Sequence, residues 1–102
     1  MKQAYLADAV FTGKDILKQH AVLTDNKIVT GIVEARKIPS DYALTEYPDC
    51  LIAPAFIDLQ IYGGLGKLFS HSLDIASIEA TYAYCLSGGC THFMITMATN
   101  SI

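Results

Sequence analysis

The stretch FIDLQIYGGLG, residues 56–66, determines how the second half of the chain is interpreted. In an extended strand, alternate side chains point to opposite faces, which here separates aliphatic from polar residues. The aliphatic face would carry Ile57, Leu59 and Ile61, and the polar face Asp58, Gln60 and Tyr62. The glycines that follow indicate a loop. The pattern therefore predicts a strand with one apolar and one polar face, followed by a flexible glycine-rich loop.

Downstream of this loop, residues 74–87 predict an amphipathic helix, and residues 91–97 predict another apolar strand. Asp74 or Ser77 is a candidate N-cap, and Gly88–Gly89 suits the helix end. The apolar positions at helical spacing are Ile75, Ile78, Tyr82 and Leu86. A strand, a helix and a second strand predict a βαβ unit with two parallel strands. Thr99–Ser101 would suit the start of a further helix, so we expect the natural chain to continue.

The polar face of the first strand has two interpretations. In a (β/α)8 barrel it would point inward at the C-terminal end, where barrel enzymes keep their sites. On a half-exposed strand the same alternation would carry no site. Residue types alone leave both open.

The first half of the chain predicts strands over residues 3–11, 20–24 and 27–33, which form an antiparallel β unit. Asp25-Asn26 is a suitable two-residue hairpin turn, because Asn tolerates positive φ. Proline-containing breaks follow at Pro39 and at Pro48-Asp49, and Cys50–Ala53 is a short apolar strand that ends before Pro54.

Composition excludes several classes of function. The 102 residues include 52% hydrophobic and 17% charged residues, which argues against disorder. The formal charge of −3 and the absence of a basic cluster argue against nucleic-acid or membrane partners. Because there is no signal segment or long apolar run, a cytoplasmic location is expected. The cysteines form no CxxC pair and are expected to be small buried apolar residues: Cys50, Cys85 and Cys90.

The run LIAPAFIDLQIYG, residues 51–63, resembles the amidohydrolase signature at the first barrel strand. That signature is usually Pro-Gly-Phe-Ile-Asp followed by His-x-His-Gly; Ala55 replaces the glycine here, and Gln60 and Tyr62 stand at the two histidine positions. A glutamine at the first position with a glycine-rich loop after it resembles one branch, the N-acetylglucosamine-6-phosphate deacetylases. Residues 87–91 and 96–101 look like the second barrel strand of that family and its exit. The segments Thr12-Gly13 and His20–Val22 fit its N-terminal β domain.

This resemblance implies an α/β fold with an added β part. Residues 1–53 would form part of a small β-sandwich, and residues 54–102 the first β-α-β portion of an incomplete TIM-type (β/α)8 barrel. The chain would be the early part of a longer protein.

The resemblance also implies an activity for the parent protein: removal of the acetyl group from N-acetylglucosamine 6-phosphate. One divalent metal, usually zinc, would polarise the acetamide carbonyl and activate a water. Its ligands and the catalytic residues would lie outside this chain, so the chain itself would be inactive. Gln60, a neutral oxygen donor, would lie beside the metal site, and a two-metal site is not expected because protonated Tyr62 is a poor ligand.

Tyr62, Gly63 and Gly64 would border the sugar-phosphate substrate, the glycines allowing close backbone approach. A tight strand exit without ligand contact would explain the same glycines equally well. The family also implies a homo-oligomer.

Two alternatives remain. The chain could belong to another amidohydrolase branch, dihydroorotase-like or isoaspartyl-dipeptidase-like, although these normally retain His-x-His. It could also be a non-catalytic, self-sufficient β-rich interaction domain, which would be a folded monomer. A fragment would instead self-associate through exposed strand edges and apolar faces.

Overall fold

A computed structural model describes residues 1–98 of the chain. Its described residues divide into two compact units, one of residues 1–54 and one that begins at Ala55. The predicted helix start at Thr99–Ser101 lies outside the described residues. No helix within the described range is long and apolar enough to cross a membrane.

The first unit contains a four-stranded sheet with the order β3-β2-β1-β4. Its strands are β1 (Lys2–Phe11), β2 (Ile16–Asp25), β3 (Ile28–Glu34) and β4 (Ala43–Ile52). The first three pair antiparallel, as predicted, whereas β4 pairs parallel to β1. A 3-10 turn, Ala35–Lys37, begins the connection that carries the chain back for this parallel pairing.

The hairpin turn between β2 and β3 lies one residue later than predicted. Asn26 and Lys27 both have positive φ, at 49° and 68°, and connect β2 to β3. Two central residues with positive φ define a type I′ turn, whose twist suits a hairpin. The prediction of Asp25-Asn26 as the turn pair was therefore wrong in register, because Asp25 still pairs with Ile28 in the sheet.

Pro48-Asp49 does not end a strand as predicted; β4 continues through it. The register with β1 shifts there, since Ala7 pairs with Tyr47 and Ala9 with Leu51. The extra residues form a bulge, with Asp49 at a φ of 57° and its N–H donating to Asp8 Oδ2 over 3.3 Å. Proline is tolerated because β4 is an edge strand and a bulge leaves ladder positions unpaired.

The buried core of the first unit lies on the two central strands, and alanine is its commonest residue. They are Ala4, Ala7 and Val10 on β1 and Ala21 and Leu23 on β2. A sandwich requires a second sheet packed on the first, and this unit contains one sheet within residues 1–54.

The second unit contains a pair of parallel strands joined through a helix. Its elements are β5 (Phe56–Ile61), β6 (Gly63–Gly64), β7 (Lys67–Leu68), α1 (Ile75–Ser87) and β8 (Cys90–Ile95). β5 and β8 pair parallel, and β6 and β7 form a short antiparallel hairpin. The glycine-rich segment predicted as a flexible loop is therefore a hairpin.

Helix α1 buries its small polar face rather than its apolar one. Ser77, Thr81 and Cys85, spaced four residues apart, are at most 4% exposed. The Thr81 hydroxyl donates to the Ser77 carbonyl over 2.8 Å, so the buried hydroxyl is satisfied. The predicted apolar positions remain exposed, from 36% at Ile78 to 74% at Ile75.

Asp74 caps α1, as one of the two predicted alternatives. Its Oδ1 accepts the Ser77 N–H over 2.8 Å and the Ser77 hydroxyl over 2.7 Å. The hydrogen bond from the Ser77 hydroxyl lowers the pKa of Asp74 below its ordinary value, and the hydrogen bond from the Ser77 main-chain N–H lowers it further by a smaller amount.

We predict that Asp74→Ala lowers the stability of α1 and that Asp74→Asn, which keeps a capping oxygen, lowers it less. Folding lowers the pKa of Asp74. The stability that its ionised carboxylate contributes is therefore fully present above the pKa of Asp74 in the unfolded chain, and it is lost as pH falls through the pKa in the folded chain. Thermal unfolding between pH 7 and pH 2, followed by helical circular dichroism, measures both effects. Glu79→Ala, on the exposed side of α1, is the matched control; an equal loss in Glu79→Ala would contradict the capping role.

Candidate functional site

The polar side chains predicted as one row on β5 are divided by an irregularity in the strand. Asp58 pairs with Phe93 and Ile61 with Ile95, so three steps on β5 match two steps on β8. Because residues two apart share a strand face, the extra residue brings Asp58 and Ile61 to the same face. Both are half-buried. The predicted single polar face is therefore wrong for Asp58.

Gln60 and Tyr62 do lie together, as predicted. Gln60 Nε2 donates to the Tyr62 hydroxyl over 2.6 Å, at the C-terminal end of β5. The main-chain N–H of Gln60 donates to Asp58 Oδ1 over 3.0 Å, so the carboxylate stabilises the irregular backbone. Sequence alternation placed Asp58 on the same polar face as Gln60, but it did not predict this contact with the main-chain N–H of Gln60.

Gly63 and Gly64 are in close contact with other parts of the chain. A Cβ at Gly63 would lie 1.9 Å from the carbonyl oxygen of Lys67, and one at Gly64 would lie 2.7 Å from Cβ of Tyr84. The hairpin is closed by the Phe69 N–H, which donates to the Tyr62 carbonyl over 2.9 Å. Packing within the chain thus explains both glycines without a ligand. Their assignment to the substrate site stays a prediction.

Pairing of β5 with β8 continues to the end where Gln60 and Tyr62 lie. The Thr96 N–H donates to the Ile61 carbonyl over 2.7 Å. The carboxyl ends of both parallel strands therefore meet at one edge, the position where parallel α/β sheets bind ligands. This edge, with the β6-β7 hairpin beside it, is the candidate site.

The two cysteines of the second unit do not add a nucleophile. Cys85 and Cys90 are buried, at 4% and 9% exposure. Burial raises the pKa of the Cys85 thiol above its ordinary value, and the neighbouring Cys90 raises it further by a smaller amount. Since the thiolate is the reactive form, burial and the raised pKa both disfavour a nucleophilic role for Cys85. The predicted structural role is confirmed for these two residues, whereas Cys50 on β4 is exposed.

The described residues do not fit a resident metal ion. Within residues 1–98, no group of three or more His, Cys, Asp or Glu side chains is placed to hold one. Gln60 and Tyr62 offer neutral oxygens, which are weak ligands for zinc. The position of Gln60 beside a metal site stays a prediction.

Residues 6–46 match the family model of the NagA composite domain. Over 97% of its length, the chain is 25% identical to N-acetylglucosamine-6-phosphate deacetylase from Haemophilus influenzae. Over 90% of its length, it is 34% identical to N-acetylglucosamine-6-phosphate deacetylase from Bos taurus. The resemblance to N-acetylglucosamine-6-phosphate deacetylases is confirmed. The chain spans about a quarter of these relatives, 26% and 25% of their lengths.

Solved structures share the fold. The deacetylase from Pasteurella multocida superimposes with a TM-score of 0.89 at 23% identity, over 99% of this chain and 27% of its own. A mutant deacetylase from Mycobacterium smegmatis, solved with N-acetyl-D-glucosamine-6-phosphate, gives a TM-score of 0.83 at 21% identity, over 97% of this chain and 25% of its own. The mostly β structure with one helix therefore matches the corresponding quarter of the deacetylases.

Proposed function

We propose that the chain is the N-terminal part of an N-acetylglucosamine-6-phosphate deacetylase, a hydrolase that releases acetate and glucosamine 6-phosphate. The main support is similarity to such enzymes over 97% of the chain, at 25% identity. The substitution of Gln60 and Tyr62 for the usual histidine pair agrees with this branch rather than with the other amidohydrolases considered above. Fold alone is less specific, because a Helicobacter pylori aminofutalosine deaminase also matches, with a TM-score of 0.54.

In this proposal, β5, α1 and β8 are the first β-α-β portion of a (β/α)8 barrel. The parallel pairing of β5 with β8 and the helix between them support this assignment. The four-stranded sheet is part of the small β-sandwich. One divalent metal, for which we propose zinc, is held by residues outside the chain, and the enzyme is a cytoplasmic homo-oligomer.

Within this site, the chain's own residues border the substrate. Gln60 lies beside the metal position, and Tyr62 contacts the sugar phosphate. Gly63 keeps the two strands of the β6-β7 hairpin together, and Gly64 keeps this hairpin close to α1; both glycines border the substrate. No residue of the chain is assigned a catalytic role.

We predict that the 102-residue chain does not hydrolyse N-acetylglucosamine 6-phosphate and that the full-length protein containing it does. Acetate release, measured for both at equal concentration, tests this directly. Treatment with a metal chelator is expected to abolish the activity of the full-length protein, and zinc to restore it. Activity on cyclic amides alone would contradict the proposal, as would stoichiometric zinc binding or turnover by the 102-residue chain.

A further inference from the structure

The hydrogen bond between Gln60 and Tyr62 determines which polar atoms of this pair are left for a ligand. Nε2 of Gln60 donates to the phenol oxygen over 2.6 Å. A phenol carries one hydrogen, which is not used in this bond, and a glutamine amide carries one carbonyl oxygen. The pair therefore offers Oε1 of Gln60 as an acceptor and the O–H of Tyr62 as a donor, side by side.

Gln60 is fixed at both of its ends. Its main-chain N–H donates to Asp58 Oδ1 over 3.0 Å, while its side chain is oriented by Tyr62. Tyr62, the residue directly after β5, is 40% exposed. A side chain already held in one orientation loses less conformational entropy when it binds a ligand.

We propose that Oε1 of Gln60 and the hydroxyl of Tyr62 together bind one ring hydroxyl of the sugar substrate; this rests on the proposed function. A hydroxyl is a donor and an acceptor on the same atom, so it donates to Gln60 while accepting from Tyr62. The N–H and C=O of a trans secondary amide point in opposite directions. The acetamide group of the substrate could therefore hydrogen-bond to Gln60 or to Tyr62, but not to both at once. An ionised phosphate oxygen carries no hydrogen, so it cannot donate a hydrogen bond to the carbonyl oxygen of Gln60.

The test compares the full-length protein with Tyr62→Phe, Gln60→Leu and the double variant. Substrates are N-acetylglucosamine 6-phosphate and its analogues that each lack one ring hydroxyl. With the parent substrate, each single variant is expected to lose roughly five- to tenfold in kcat/KM, mainly through KM. The double variant is expected to be no worse than Gln60→Leu, because the two residues act as a unit. With the wild type, one deoxy analogue is expected to have a kcat/KM that is lower than that of the parent substrate by a similar factor. With Tyr62→Phe, the same analogue is expected to have a kcat/KM equal to that of the parent substrate.

Tyr82→Phe is the matched control, since it removes an exposed phenol hydroxyl from α1 and keeps the ring that packs near Phe93. Its kinetics are expected to equal those of the wild type. Tyr62→Phe kinetics equal to the wild type, or an equal loss with every deoxy analogue, would overturn the inference while leaving the proposed function standing. A wild-type protein inactive on all of these sugars would overturn both.

Discussion

Gly64→Ala is expected to separate α1 from the β6-β7 hairpin and to destabilise the second unit by about 2 kcal/mol. The added Cβ would lie 2.7 Å from Cβ of Tyr84 and 3.1 Å from Cα of Thr81. Neither atom is the tip of a flexible side chain, so the helix itself must move. Thr81 is fully buried, which leaves little space for that movement. Urea unfolding followed by helical circular dichroism measures the loss.

Gly63→Ala is the companion variant, because its Cβ would lie 1.9 Å from the Lys67 carbonyl oxygen. It is expected to open the hairpin and to be at least as destabilising. Gly88→Ala is the matched control in the same unit: a Cβ there would be 3.6 Å from its nearest neighbour, an ordinary contact. A Gly64→Ala protein as stable as the Gly88→Ala protein would contradict the close packing. It would then favour a glycine retained for ligand approach.

Local sequence signals were sufficient for much of the fold. Helix α1 follows from a capping aspartate, helical periodicity and two terminal glycines, all within residues 74–89. The hairpin strands of the first unit follow from their β-forming composition. The course of β4 through Pro48 was missed, because it depends on the bulge against β1, some forty residues earlier in the chain. A proline in the sequence predicts a local break, whereas its position in the sheet decides whether the strand continues.

The candidate site shows the same division. That Gln60 and Tyr62 lie together follows from their spacing on a strand, and the structure confirms it. The departure of Asp58 from this row depends on the register with β8, more than thirty residues downstream. The packing of Gly64 depends on Tyr84, which no local pattern connects to the glycine-rich segment. Long-range pairing therefore decides which polar groups share the site.

The purified chain is expected to self-associate, because its described residues bury few large side chains. The buried apolar residues are mostly alanine and cysteine, with Val10 and Leu23 as the larger members. In the second unit, Phe56, Leu59 and Ile75 are each at least 70% exposed. Large apolar side chains exposed in this number favour association in water. Sedimentation velocity is therefore expected to show species larger than the 11.1 kDa monomer, increasing with concentration.

Lysine substitutions on α1 distinguish association through exposed apolar side chains from an effect of the net charge of the chain. Ile75→Lys with Leu86→Lys is expected to reduce association markedly, because lysine carries an ammonium group into the surface that would be buried between copies. Ala76→Lys with Ala83→Lys adds the same two positive charges at exposed positions of the same helix and removes no large apolar side chain. This control is expected to associate like the wild type. A wild-type chain that remains monomeric across the concentration range would instead support a self-sufficient β-rich domain, because the exposed apolar side chains would then be tolerated in water without a covering surface.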